Sequence, residues 1–220
     1  MPYVTAADVR LWYEEHGEGT PLVLLHGGWV DLGSWQPNIP ALARAARVVA
    51  YDRRGCGRST RGTREHSPKA WAADLAELVR GLELEQPVLL GLSYGAMTVL
   101  RYLVDGAGPA RAAVLASGTA HGFAGSQPGL VSFPEMHDRL HEVRVPTLVL
   151  HGELDPVFPL SHAQELAAGI AGAELVSIEG AGHGVNWEQP DAFNHAVLDF
   201  LARLDGLPGA QAGQTGATLS

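Results

Sequence analysis

The chain has 220 residues, 46% of them hydrophobic and 18% charged, which suits one α/β domain with a large core and is short for two independent domains. Fifteen basic against twenty-four acidic side chains give a formal net charge of −9, so there is no electrostatic case for nucleic acid or for an anionic membrane as a partner. A single cysteine, Cys56, excludes an intrachain disulfide and a Cys-rich zinc site. The N-terminus has neither the basic nor the apolar region of a secretory signal, and no apolar run approaches the roughly 18 residues that span a bilayer, so the cytoplasm is the expected location.

Residues 3–16 alternate enough to predict an opening antiparallel hairpin, with turn signals at Ala6-Ala7-Asp8 and Gly17-Glu18-Gly19. Pro21-Leu22-Val23-Leu24-Leu25-His26 is apolar on both faces, the pattern of a strand inside a parallel sheet, and it runs into Gly27-Gly28-Trp29. Residues 34–45 read as a helix and Arg47 to Tyr51 as the next buried strand, which leaves through a glycine-punctuated turn at 52–59. Ala70 to Leu82 has an amphipathic helical pattern with Trp71, Leu75, Leu78, Val79 and Leu82 on its apolar side.

Pro87 to Leu90 then predicts a buried strand and Ala96 to Val104 a helix with Met97, Leu100 and Val104 on one face. Further strands are expected at Ala112 to Ala116, Val145 to Leu150 and Glu174 to Ile178, and helices at 135–143, 161–170 and 188–204. Residues 118–134 form an irregular insertion with several glycines and prolines, and 206–220, rich in Gly, Ala and Gln, read as a flexible tail. Strands alternating with helices imply a mostly parallel, doubly wound sheet in a single domain over residues 1–205.

Between the strand at 87–90 and the helix that follows lies Gly91-Leu92-Ser93-Tyr94-Gly95, the pattern and context of a nucleophile elbow. A serine hydroxyl stays protonated at neutral pH. It therefore needs a base to take its proton and a third group to hold that base. In the chain order Ser, acid, His, the carboxylate should follow a later strand; Asp155 does so in His151-Gly152-Glu153-Leu154-Asp155-Pro156, with Glu153 as the competing acid. His183 follows the final strand in the glycine-flanked Gly180-Ala181-Gly182-His183-Gly184. Because loops at the carboxyl ends of parallel strands converge on one rim, Ser93, Asp155 and His183 should meet there. Donors to an oxyanion are expected from the backbone of Tyr94 and of Gly28, with Trp29 as second choice. His137 and His141 have the i, i+4 spacing of two metal ligands on a helix but no accompanying Glu base, and read as a solvated face.

Five segments in order carry a resemblance: HGG at 26–28, YDRRGCGRS at 51–59, GLSYGA at 91–96, LVLHGELDP at 148–156 and GAGHGVNWEQPDAF at 180–193. From residue 3 to 204 the chain resembles an α/β-hydrolase-fold protein of the serine esterase or enol-lactonase type. The resemblance implies an eight-stranded sheet, a Ser93-Asp155-His183 triad, an oxyanion hole at Gly28 and Tyr94, and a mainly structural role for the 51–59 turn including Cys56. Such proteins usually carry a helical cap where this chain has only the short 118–134 segment. The resemblance therefore implies an open site rimmed by Trp29, Phe123, Leu130, Phe133, Val157 and Phe158, tolerant of bulky substrates; equally, these side chains could simply cover the sheet edge, and an apolar rim left uncovered could serve as a homodimer contact.

The expected activity is hydrolysis of a small-molecule carboxylic ester through an acyl-enzyme, with no metal or organic cofactor. Lactone or enol-lactone hydrolysis, C–C bond hydrolysis and acyl transfer use the same residues and stay open, as does a non-catalytic binding protein on the same fold. Trp29-Val30 stands where peroxide-forming relatives carry a proline, which argues against that variant.

Overall fold

The apolar runs become strands for the reason their pattern gives: both faces are covered. The structure, a computed structural model, describes residues 2–122 and 133–206. Its strands are β1 (Tyr3–Ala6), β2 (Val9–His16), β3 (Pro21–Leu25), β4 (Arg47–Tyr51), β5 (Val88–Leu92), β6 (Ala112–Ala116), β7 (Thr147–Gly152) and β8 (Glu174–Ile178). Among the described residues they form one sheet in the order β1-β2-β4-β3-β5-β6-β7-β8. β1 and β2 pair antiparallel, as do β2 and β4, and every pairing from β4 through β8 is parallel.

Alternation along the strands divides the core into two layers. Val23, Leu25, Val49, Tyr51, Leu89, Leu115 and Val149 face α2 (Pro68–Gly81), α3 (Tyr94–Val104) and α4 (Leu160–Gly169). Leu22, Leu24, Val48, Leu90, Val114 and Leu148 face α1 (Ile39–Leu42) and α6 (Pro190–Asp205), through Leu42, Phe193, Val197 and Phe200. Each such side chain, fully buried, contributes about 1.5–3 kcal/mol. β3 and β5 lie at the middle of the sheet, where both layers are deepest, and their carboxyl ends carry the HGG and GLSYGA segments.

Three predicted helices differ from those observed. Residues 34–45 form a 3-10 turn at Leu32–Trp35 and one α-turn at α1, because Pro37 and Pro40 cannot sit inside a continuous helix. The helix expected at 135–143 is a 3-10 helix, His137–Glu142. The one expected at 188–204 is two, α5 (Val185–Glu188) and α6, which Pro190 starts. α3 is buried nearly all round, with only Arg101 and Leu103 partly exposed, because it is packed between the sheet and α2. Its expected single apolar face is therefore too narrow. Most of the 118–134 segment and nearly all of the 206–220 tail lie outside the described residues.

The turn from β5 into α3 is set by two close approaches. A Cβ at Gly95 would stand 2.2 Å from the Leu25 carbonyl oxygen, and one at Gly91 would stand 2.3 Å from the Gly95 carbonyl. Gly95→Ala must push α3 off β3, an overpacking that costs about 1–3 kcal/mol or more. We expect a lower urea midpoint at unchanged m-value. A midpoint equal to wild type would mean that the close packing of α3 on β3 is not required.

Candidate active site

Ser93 is held between β5 and α3 at φ 53°, ψ −114°, a conformation that L-residues rarely adopt and that turns its side chain out of the sheet. Its Oγ lies 2.9 Å from Nε2 of His183, and Nδ1 of His183 lies 2.8 Å from Oδ2 of Asp155. The structure thus brings together the three residues predicted to meet. The Asp155 side chain is fully buried, whereas that of His183 is 26% exposed and opens to a cavity.

Asp155 also accepts hydrogen bonds at Oδ1 from the backbone N–H of Val157 (2.8 Å) and Phe158 (3.0 Å). Burial pushes its carboxyl pKa up, but the hydrogen bonds from His183, Phe158 and Val157 outweigh burial and hold it below the usual carboxylate range. The anionic acceptor fixes the tautomer: Nδ1 of His183 carries the proton, so the lone pair of Nε2 faces the Ser93 hydroxyl. Glu153, the competing acid, is exposed and makes no side-chain contact with His183.

Two residues that support these loops were not singled out from the sequence. Oε2 of Glu188 accepts from Gly182 N–H at 2.8 Å and Oε1 from Gly184 N–H at 2.9 Å, clamping the backbone on both sides of His183. The only sequence signal is its place in the GHGVNWE run. His151 is wholly buried; its Nε2 donates to the Phe158 carbonyl at 2.9 Å and lies 3.5 Å from Oδ2 of Asp155. In the sequence it stands only as the residue after the strand expected at 145–150, which gives no hint of this position.

The HGG loop is braced from beneath. Nε2 of buried His26 accepts from the Arg53 backbone N–H at 3.1 Å, which leaves Nδ1–H to donate to the Gly27 carbonyl at 2.8 Å. The Arg53 guanidinium donates to the same carbonyl at 2.5 Å and lies 4.6 Å from the Trp71 ring centre. Gly27 and Gly28 run against Ser93 and the Tyr94 ring, and Trp29 turns at φ 56°. Of the expected oxyanion donors, Gly28 thus packs on the ring of Tyr94, which begins α3, and the second choice, Trp29, lines the same cavity as Gly28 and Ser93. The 51–59 turn is also tied to α2 by a bidentate pair between buried Arg54 and Asp74 at 2.6 and 2.7 Å.

Burial, and next the charge of Arg53, push the pKa of His26 down from 6.5 to about 3. Between these values the unfolded chain binds a proton that the folded chain does not. The contribution of neutral His26 is therefore complete above about pH 6.5 and is lost as pH falls toward 3. We expect the urea midpoint of wild type to fall more steeply across this range than that of His26→Gln. Parallel pH profiles for the two proteins would contradict it.

A cavity of about 590 Å³ opens over Ser93 and His183 and is walled by Trp29, Val30, Leu92, Asn186 and Trp187 among others. Trp29 and Trp187 stand 78% and 56% exposed at its mouth. Of the residues predicted to rim the site, Trp29 does so, while Phe123 and Leu130 lie outside the described residues. Phe133, Val157 and Phe158 do not line this cavity. Phe133 is buried against Tyr94 (4.8 Å between ring centres) and Trp71, Phe158 meets His183 edge-on at 5.4 Å, and Val157 is exposed. The cavity instead opens between the HGG loop and α5, which carries Trp187 at its edge. Asn186 is fixed there by a buried network in which Asn38 donates to the Asn186 carbonyl (3.0 Å) and to Asn194 (2.9 Å).

Comparison with known proteins agrees with this fold. A family model described as alpha/beta hydrolase fold matches residues 20–140, and one described as TAP-like protein matches residues 131–208. The chain belongs to the alpha/beta hydrolase fold family. It is 28% identical to a non-heme haloperoxidase of Rhodococcus erythropolis, with 91% of this chain and 99% of the relative covered. That alignment runs over 272 residues, longer than this chain, so the relative carries internal residues that this chain lacks. Among solved structures, the enol-lactonase of Burkholderia xenovorans LB400 superposes with a TM-score of 0.85 at 23% identity, covering 91% of this chain and 100% of that one. A thermophilic esterase of Thermogutta terrifontis does so with 0.85 at 22% identity, covering 92% and 98%. Among the described residues no helix is long and apolar enough to cross a membrane.

Proposed function

We propose that the protein is a serine hydrolase that cleaves carboxylic esters through an acyl-enzyme. The observation that carries this reading is the continuous hydrogen-bonded chain from Ser93 through His183 to Asp155, open to a cavity of ligand size. Ser93 Oγ attacks the ester carbonyl as its proton passes to Nε2 of His183. The oxyanion is held by backbone N–H groups of Tyr94 and of Gly28 or Trp29, and imidazolium 183 then protonates the leaving alcohol. Water, deprotonated by His183, attacks the acyl group and regenerates Ser93. Asp155 stays ionised throughout and stabilises the imidazolium. No step calls on a metal or an organic cofactor.

The tryptophans at the mouth are largely exposed, so the walls close on a substrate less than in a shut pocket. We expect kcat/KM across neutral esters of rising acyl length to vary less than the roughly 10- to 200-fold that one methylene is worth in a fitted apolar pocket. A panel of chromogenic esters, with lactones and thioesters beside them, measures this; a sharp preference for one short acyl chain would overturn the expectation of breadth. Preferential turnover of lactones would make the protein a lactonase on the same residues. The name of the Rhodococcus relative, a non-heme haloperoxidase, adds one further arm, halide oxidation with peroxide, against which Trp29-Val30 argues. Labelling by a fluorophosphonate tests the serine itself, and a protein that neither labels nor turns over any member of the panel would be a binder on this fold.

A further inference from the structure

We propose that His121, His137 and Glu165 form a binding site for one divalent transition-metal ion of the zinc class, separate from Ser93. They come from three places: the loop after β6, the start of the 3-10 helix at His137–Glu142, and the middle of α4. One donor atom from each lies within 4.8 Å of the others. Nε2 of His121 is hydrogen-bonded to Oε2 of Glu165, and the His121 and His137 rings stack with centres 5.7 Å apart and 18° between planes.

A third imidazole joins them. His162, three residues before Glu165 on α4, places its ring centre 4.5 Å from that of His121, and its buried Nδ1 has no hydrogen-bond partner among the described residues. Glu135 braces the backbone, accepting from Gly122 N–H and His137 N–H at 3.0 Å each. An exposed His–Glu pair is worth about 0–1 kcal/mol and does not by itself gather three imidazoles. Two imidazoles and a carboxylate suit zinc and its neighbours better than calcium or magnesium, which favour all-oxygen sets. Bond lengths of about 2.0–2.2 Å place tetrahedral donors ~3.3–3.6 Å apart, which side-chain rotation can reach from the present separations. Water or His162 fills the fourth position.

The helical spacing of His137 and His141 is not what makes this site. In a 3-10 helix three residues complete a turn, so i and i+4 do not share a face, and His137 meets His121 instead. The ion joins residues 121 and 137, sixteen positions apart in sequence, to α4. It takes no part in hydrolysis, but the Phe158 ring spans from His162 (5.9 Å) to His183 (5.4 Å), so the site adjoins the catalytic one.

The test uses chelator-treated full-length protein titrated with Zn²⁺ by calorimetry and with Co²⁺ by visible absorption. We expect one ion per chain, a Co²⁺ spectrum of tetrahedral type, and a Tm that rises with added Zn²⁺. His137 is exposed, so His137→Ala leaves the fold intact by circular dichroism. It should weaken binding by more than the roughly 100-fold that loss of an outer-shell partner costs. Glu165→Gln should do the same, and His141→Ala should bind as wild type. No binding, binding unchanged in His137→Ala, or binding that survives there and vanishes in His183→Ala would each overturn the proposal.

Discussion

On the proposed mechanism, replacing Ser93 by alanine should lower kcat/KM for a short chromogenic ester by about 10⁴- to 10⁶-fold and abolish fluorophosphonate labelling. The size follows from what is removed. His183 should keep its tautomer and its bond to Asp155, and the proposed backbone donors should stay in place, so that substrate binding and carbonyl polarisation are expected to survive. What would disappear is the atom proposed to form the acyl-enzyme, which leaves direct attack by water as the remaining route. Stability should change by less than about 1 kcal/mol, because alanine keeps the Cβ and the strained backbone while removing one partly solvated hydroxyl. His183→Ala should lose activity on a similar scale, and the double variant little more, since the two act as one unit. Full hydrolysis by Ser93→Ala, with wild-type KM, would sink the mechanism.

The parts of this molecule that were legible in its sequence are those written in local pattern. The buried strands at 21–25, 47–51 and 112–116 announce themselves as continuous apolar runs because both their faces are covered. Ser93, Asp155 and His183 each lie just beyond a strand end, and the common direction of β5, β7 and β8 is enough to bring them to one rim. Prolines at 37, 40 and 190, by contrast, cut helices that apolar spacing alone runs together.

Long-range partners left no such trace. Glu188 reads as one acid in a helix start, and only the backbone folding back over it shows that it clamps the glycines beside His183. His151 and His121 differ little in sequence from other histidines. The first is buried under Asp155 and the second among His137, His162 and Glu165, distinctions made by packing across the chain. The wall of the cavity over Ser93 is set by long-range packing as well. Phe133 and Phe158 turn toward Tyr94 and His183 from the far side, while Trp187 arrives from a helix whose position depends on the Asn38–Asn186–Asn194 network.

Asp155→Asn is the variant that separates geometry from charge, and we expect kcat to fall by about 10⁴-fold with little change in KM. An asparagine oxygen in the place of Oδ1 can still accept from Val157 and Phe158, so the loop keeps its shape. Its NH₂ then stands where Oδ2 meets Nδ1 of His183. A donor at that point requires Nδ1 to be the acceptor, which moves the imidazole proton to Nε2 and presents Ser93 with an N–H in place of a lone pair. The proposed base would be blocked although no heavy atom need shift. Asp155→Ala should lose activity and stability together, because the two backbone N–H groups lose their acceptor as well. Glu153→Gln, two residues away and exposed, should leave kcat within about twofold of wild type. The pair of measurements decides between the two carboxylates of the LVLHGELDP segment: an equal loss in Glu153→Gln, or wild-type turnover in Asp155→Asn, would remove Asp155 from the mechanism.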